Sequence, residues 1–193
     1  MRKITHTYQD PLELIWIAAA KQMGITIRRD STVFASWDGK GVLTIGSPET
    51  LDADDSLAQM VLHECCHALV EGPPALQKPD WGLDITDSLQ RVREHACLRL
   101  QAALADQYGL REFLGSTTSL RTYYDQLPEN PLAPTDEDPA VEIALPGWQR
   151  ATTGPWAAAL DQALKLTAEI AQLLKQSNSA PEGSLWTTAK VLD

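Results

Sequence analysis

The stretch from Ser56 to Glu71, SLAQMVLHECCHALVE, constrains this chain more than any other, because it sets His63, Glu64 and His67 in the order H-E-x-x-H inside an apolar run. Residues four apart share one face of an α-helix, one turn from each other, so a helix here brings both imidazoles to a single point. The flanking residues supply that helix. Asp55 or Ser56 caps its start, Leu57, Met60, Val61, Leu62, Cys65, Leu69 and Val70 give it apolar surface, and Gly72-Pro73-Pro74 stops it. Two imidazoles so placed reach one tetrahedral zinc ion, and Glu64, beside the first of them, projects toward a water in the open coordination position. The alternative is a buried helix whose histidines find ordinary hydrogen-bond partners.

The 193 residues suffice for one domain with a core able to hold such a site rigidly. A formal net charge of -10 argues against a nucleic-acid partner, since phosphate backbones are bound through basic surface. A basic or extended protein or peptide segment suits the charge better. The start, MRKITHTYQDP, lacks the apolar core of a signal peptide, and no apolar run is long enough to cross a membrane, so the expectation is a soluble cytoplasmic chain. Cys65, Cys66 and Cys97 do not make a disulfide framework and read as reduced, buried filler.

In chain order, residues 10–23 predict a core helix capped by Asp10, with Pro11 in its first turn and Gly24 at its end. Its apolar face is Leu12, Ile15, Trp16, Ala19 and Met23. Residues 25–29, 32–37 and 42–45 read as strands, the last two as a hairpin about Asp38-Gly39-Lys40-Gly41. The acidic residues Asp52, Asp54 and Asp55 suit the N-terminal end of the motif helix. Trp81, in the irregular stretch after it, is a candidate cleft wall or a plain anchor. A further helix runs from about 86 to 107. A catalytic zinc takes three protein ligands and leaves one position open, and that helix offers two candidates for the third, Glu94 and His95.

A hairpin, an H-E-x-x-H helix and a following helix that donates a glutamate resemble the gluzincin group of zinc metallopeptidases, in particular its compact, minigluzincin-like forms. In several families of that group the second helix reads R-E-[aromatic]-x-A-D, and Arg93-Glu94-His95-Ala96-Cys97-Leu98 is similar. The resemblance spans roughly residues 10–108 and implies an α+β, zincin-like fold with a small, mostly antiparallel sheet. It makes His63, His67 and Glu94 the ligands of Zn2+ and Glu64 the general base. Leu98 stands where those families often carry an Asp. With Glu94 on the metal, His95 is rotated from it by about 100°, toward either an oxyanion role or a half-buried helix flank.

Residues 110–127 predict one or two short helices in which Tyr123 and Tyr124 pack, with an oxyanion donor as the rarer role. The domain is expected to span 1–127. Residues 128–154, proline-rich and acidic, read as a linker or loop with a short extended piece at 141–145, placed to lie in the cleft as a blocking strand. Residues 155–176 predict a last helix packed on the same domain, and the tail from 177 reads as flexible. The activity expected is peptide-bond hydrolysis. Its rivals are hydrolysis of a non-peptide amide, modification of one protein partner, and a non-catalytic partner-binding module.

Overall fold

The structure, a computed structural model, describes residues 3–80, 88–115, 120–135 and 138–190. Helix α1 (Pro11–Gln22) starts at Asp10, whose carboxylate accepts from the backbone N–H groups of Leu12 at 2.9 Å and Glu13 at 3.1 Å. It ends before Gly24, whose φ of +81° suits a residue without a Cβ. Trp16 on its inner face is fully buried, and its indole N–H donates to Thr167 Oγ1 at 3.1 Å, pinning the first helix to the last.

Strands β1 (Thr26–Asp30), β2 (Ala35–Trp37) and β3 (Val42–Gly46) form one sheet in the order β1-β3-β2. β2 and β3 make the expected antiparallel hairpin, its turn held by Asp38, which accepts from the N–H groups of Lys40 and Val42 at 2.7 and 2.9 Å. β1 is parallel to β3, so the sheet is mixed and the expectation of a mostly antiparallel sheet is corrected. The cause is residues 31–34, which carry the chain across the end of β3 from one edge to the other. Gly46 permits the crossing: a Cβ there would lie 2.9 Å from Leu51 Cδ2 and 3.1 Å from the Val33 carbonyl oxygen.

Helix α2 (Leu57–Glu71) opens on Ser56, whose hydroxyl accepts from the Gln59 N–H at 3.2 Å, and it closes at Gly72 with φ +83°. Every residue from Leu57 to Val70 is buried, which makes it the central helix of the molecule. Asp55 is not its cap; its carboxylate takes the Asp52 N–H instead, closing a local turn. Beyond α2 the chain returns to the sheet. The Asp80 carboxylate accepts from the Trp37 N–H at 2.8 Å and the Ser36 hydroxyl at 2.9 Å, while the Asp80 N–H donates to the Trp37 carbonyl. Trp81 lies outside the described residues.

Helix α3 (Ser88–Asp106) packs along α2, and Gly109, φ +67°, lies in the turn that follows it. Of the stretch 110–127, the short helix α4 (Arg121–Asp125) forms, and Tyr124 packs with Leu98, Ala102 and Leu127 in a small second core.

Residues 140–153 depart most from expectation. They form helix α5 (Ala140–Thr153), which lies against both α2 and α3, so neither a linker nor an extended piece at 141–145 exists there and no strand from this segment blocks a cleft. Pro146 sits inside the helix and removes one N–H donor, a local loss outweighed by packing. Ala140, Ala144, Gly147 and Ala151 form a buried stripe of small residues that lets the axes approach. A Cβ on Gly147 would stand 3.0 Å from Leu100 Cδ2 and 3.3 Å from Val70 Cγ2. Arg150 reaches from the same helix to the C-terminal end of α2, where Nη1 donates to the carbonyls of Leu69 and Val70.

Helix α6 (Ala157–Gln176) packs on α1 as its apolar stripe predicts. The segment after it, expected to be flexible, is docked: Trp186 lies with its ring centroid 4.3 Å from that of Phe113, and the Lys190 N–H donates to the Gly109 carbonyl at 2.7 Å. The described residues thus make an α+β fold of six α-helices and one small mixed sheet, with α2 enclosed by α1, α3 and α5. No helix among them is long and apolar enough to cross a membrane.

Candidate metal centre

The helical spacing in α2 does what the sequence requires of it. His63 Nε2 and His67 Nε2 approach to 3.1 Å, with ring centroids 4.6 Å apart and planes at 85°. Glu94, on α3, meets them from the facing helix: Oε2 is 3.0 Å from His67 Nε2 and Oε1 is 3.5 Å from His63 Nε2. Arg93 and Glu71, paired at 3.2 Å, tie the two helices together beside this meeting point. All four motif residues, His63, Glu64, His67 and Glu94, are buried.

The electrostatics follow from that enclosure. Burial by itself would raise the Glu94 pKa, but the hydrogen bond and charge of His67, with His63 behind it, hold it at about 2. Burial would likewise depress His67, and the Glu94 contact overrides it, with Glu64 adding to the pull, so that His67 rises to about 9. The Glu64 carboxylate is therefore near enough for His67 to feel its charge. A buried carboxylate facing two imidazoles is a site that favours positive charge between them.

Cys97 completes the surroundings. His63, His67 and Cys97 form a buried group whose ligand atoms all lie within 4.8 Å of one another, close enough to hold a metal ion. Its Sγ stands 3.7 Å from His63 Nδ1 and 3.4 Å from the His63 carbonyl oxygen. Burial pushes the Cys97 thiol well above its usual pKa, with Cys66 adding to the rise, and burial does the same to Cys65. All three cysteines are unbridged.

His95 takes no part in this cluster among the described contacts. Its ring stacks on Tyr123 at 3.7 Å with planes 8° apart, and burial lowers its pKa against the raising charges of Asp138 and Glu94. Tyr123 in turn donates to Asp138 Oδ2 at 2.7 Å and accepts from Arg99 Nε at 2.6 Å, while Arg99 Nη2 bonds Asp138 at 2.8 Å. Tyr124 donates to the Arg111 carbonyl at 2.7 Å. Both tyrosines are thus engaged in packing and structural hydrogen bonds.

Sequence reasoning missed one residue of the centre. Gln101, wholly buried, has Oε1 2.9 Å from His63 Nδ1 and donates through Nε2 to the Leu114 carbonyl at 2.6 Å. The signal for it was a glutamine within the otherwise apolar run Leu100-Gln101-Ala102-Ala103-Leu104-Ala105 of α3, seven residues beyond Glu94 and so on the same face. Comparison with protein families, with curated proteins and with solved structures gave no match to this chain.

Proposed function

We propose that this chain is a zinc-dependent peptidase of zincin-like build, with His63, His67 and Glu94 as metal ligands and Glu64 as general base. The observation that carries the reading is the convergence of two imidazole Nε2 atoms and one carboxylate at separations of 3.0–3.5 Å. Donor atoms about 2.0–2.1 Å from one tetrahedral ion lie roughly 3.3 Å apart, so these separations are of the size that zinc requires. Glu94 fits the third position better than Cys97. It faces the Nε2 edge of both rings, whereas the Cys97 sulfur lies toward Nδ1 of His63, an atom already engaged by Gln101.

Bound there, zinc supplies Lewis-acid polarisation of a scissile carbonyl and makes water acidic enough to be deprotonated near neutral pH. The protein's part follows from its own groups. Glu64, next in sequence to His63 and within charge range of His67, accepts the proton of the attacking water and returns it to the leaving amine. The net charge of -10 favours basic peptide segments as substrate.

A second reading has one observation in its favour. The nearby Cys97 belongs to the same buried group, and closed histidine–cysteine sets are structural, which would make the domain a partner-binding module. The two separate experimentally. Metal analysis of the purified chain followed by comparison of wild type with Glu64→Gln on a peptide library should give about one zinc per chain in both and cleavage in the wild type alone. Equal cleavage by both proteins, or zinc bound with no cleavage by either, would exclude the peptidase reading.

A further inference from the structure

Gln101 is held at both ends by buried groups whose chemistry leaves one arrangement. The Leu114 carbonyl can only accept a hydrogen bond, so the end of Gln101 that meets it at 2.6 Å is the amide NH2. The other end is then the carbonyl oxygen, and it stands 2.9 Å from His63 Nδ1. A carbonyl oxygen can only accept, so His63 Nδ1 carries a proton and donates it. In the neutral ring this leaves Nε2 bare, with its lone pair on the edge that faces His67 Nε2 and Glu94.

The arrangement is held from further out. Gln59, on α2 one turn before His63, donates to the carbonyl of Gly115 at 3.1 Å, so two consecutive carbonyls are gripped by glutamines from the two helices that form the centre. Leu114 and Gln101 are both wholly buried, so water cannot replace either bond. Cys97 is no substitute: its sulfur is 3.7 Å from Nδ1 and lies 3.4 Å from the His63 carbonyl, which its thiol can donate to.

We propose that Gln101 is the positioning residue of this centre, fixing the ring orientation and tautomer of His63 so that Nε2 is always presented as a lone pair, with the Leu114 carbonyl setting Gln101 in turn. α3 thereby delivers both a carboxylate and, two turns on, the amide that aims a histidine of α2. This inference rests on the metal reading above for its consequence, though not for its geometry.

Orienting partners of this kind change metal affinity by about 10–100-fold when removed. Gln101→Leu should therefore weaken zinc, measured by chelator competition on the full chain, by about 10- to 100-fold, and Gln101→Glu, whose buried and so neutral carboxylic acid keeps an acceptor for the Nδ1 proton and an O–H donor for the Leu114 carbonyl, should recover most of that loss. A merely structural role would lower the melting temperature of both variants without this split. Long-range proton–nitrogen correlation spectra of wild type, zinc-loaded and metal-free, should show the His63 proton on Nδ1. Wild-type affinity in Gln101→Leu, equal loss in both variants, or a His63 lacking the Nδ1 proton would overturn the proposal. Should Gln101→Leu not fold, the wild-type spectrum and Gln101→Glu decide. A wild type that binds no zinc sinks the peptidase reading alone, because the Nδ1 proton in the metal-free chain still tests Gln101.

Discussion

Arg150→Ala tests whether the helix at 140–153 is a structural support of α2, the helix that carries His63 and His67. Arg150 Nη1 donates to the Leu69 and Val70 carbonyls, the second at 3.2 Å, in the last turn of α2. Those carbonyls belong to residues that are almost fully buried, and no later turn of α2 exists to donate an N–H to them. A hydrogen bond from a charged donor contributes about 1.5–3 kcal/mol, and the longer second contact adds less than the first. A cation at a helix C-terminus adds about 0.3–1 kcal/mol. Together these predict a loss of about 3 kcal/mol, or a melting temperature lower by roughly 6–12 °C at the 2–4 °C per kcal/mol typical of domains this size. Arg150→Lys keeps the charge but not the planar donor geometry and should lose about half as much. The assay is urea unfolding followed by circular dichroism. If Arg150→Ala costs less than about 0.5 kcal/mol, as a surface loop arginine does, the support role is refuted.

Other outcomes follow from the same contacts. Gly147→Val should destabilise by about 1–3 kcal/mol, because its Cβ already meets Leu100 and Val70 before the branched methyls are added; denaturant midpoints measure this. Trp16→Phe removes the indole donor but leaves Thr167 bonded to the Ala163 carbonyl at 2.7 Å, so a loss of about 1–2 kcal/mol is expected on unfolding. Burial tends to raise the Asp138 pKa, but Tyr123, the Ala140 N–H and Arg99 together hold it below the ordinary carboxylate value. A depressed folded pKa contributes stability that is full above the unfolded value of about 3.8 and is lost as pH falls through the folded one. Stability should therefore decline less steeply below pH 4 in Asp138→Asn than in wild type, with parallel curves as the contrary result. Removing zinc with a chelator should lower stability by about 2.7 kcal/mol relative to protein at 100 times its dissociation constant, read as a melting shift.

The parts of this fold legible in the sequence were those fixed by local chemistry. Asp10 and Pro11 announce α1, Ser56 and Gly72 bound α2, and the Asp38 turn defines the hairpin, because caps and turns act within four residues. What was not legible depends on contacts distant in sequence. The parallel pairing of β1 follows from a crossover seated on Gly46, and a glycine at a strand end does not disclose what passes over it. α5 was hidden by proline density, since its packing face is built of Ala140, Ala144, Gly147 and Ala151, residues too small to read as an apolar stripe. At the centre, His63 and His67 come together by helix spacing alone. Glu94 was reached through the resemblance of its helix rather than through periodicity, and Gln101 was missed because its role depends on the loop at Leu114.

X-ray absorption at the zinc edge on the loaded chain identifies directly the atoms that grip the cation. With His63, His67 and Glu94 as ligands, the nearest atoms are nitrogen and oxygen only, at about 2.0–2.1 Å, and imidazole scattering is lost in His63→Ala. A sulfur at about 2.3 Å would place Cys97 on the metal and contradict this ligand set.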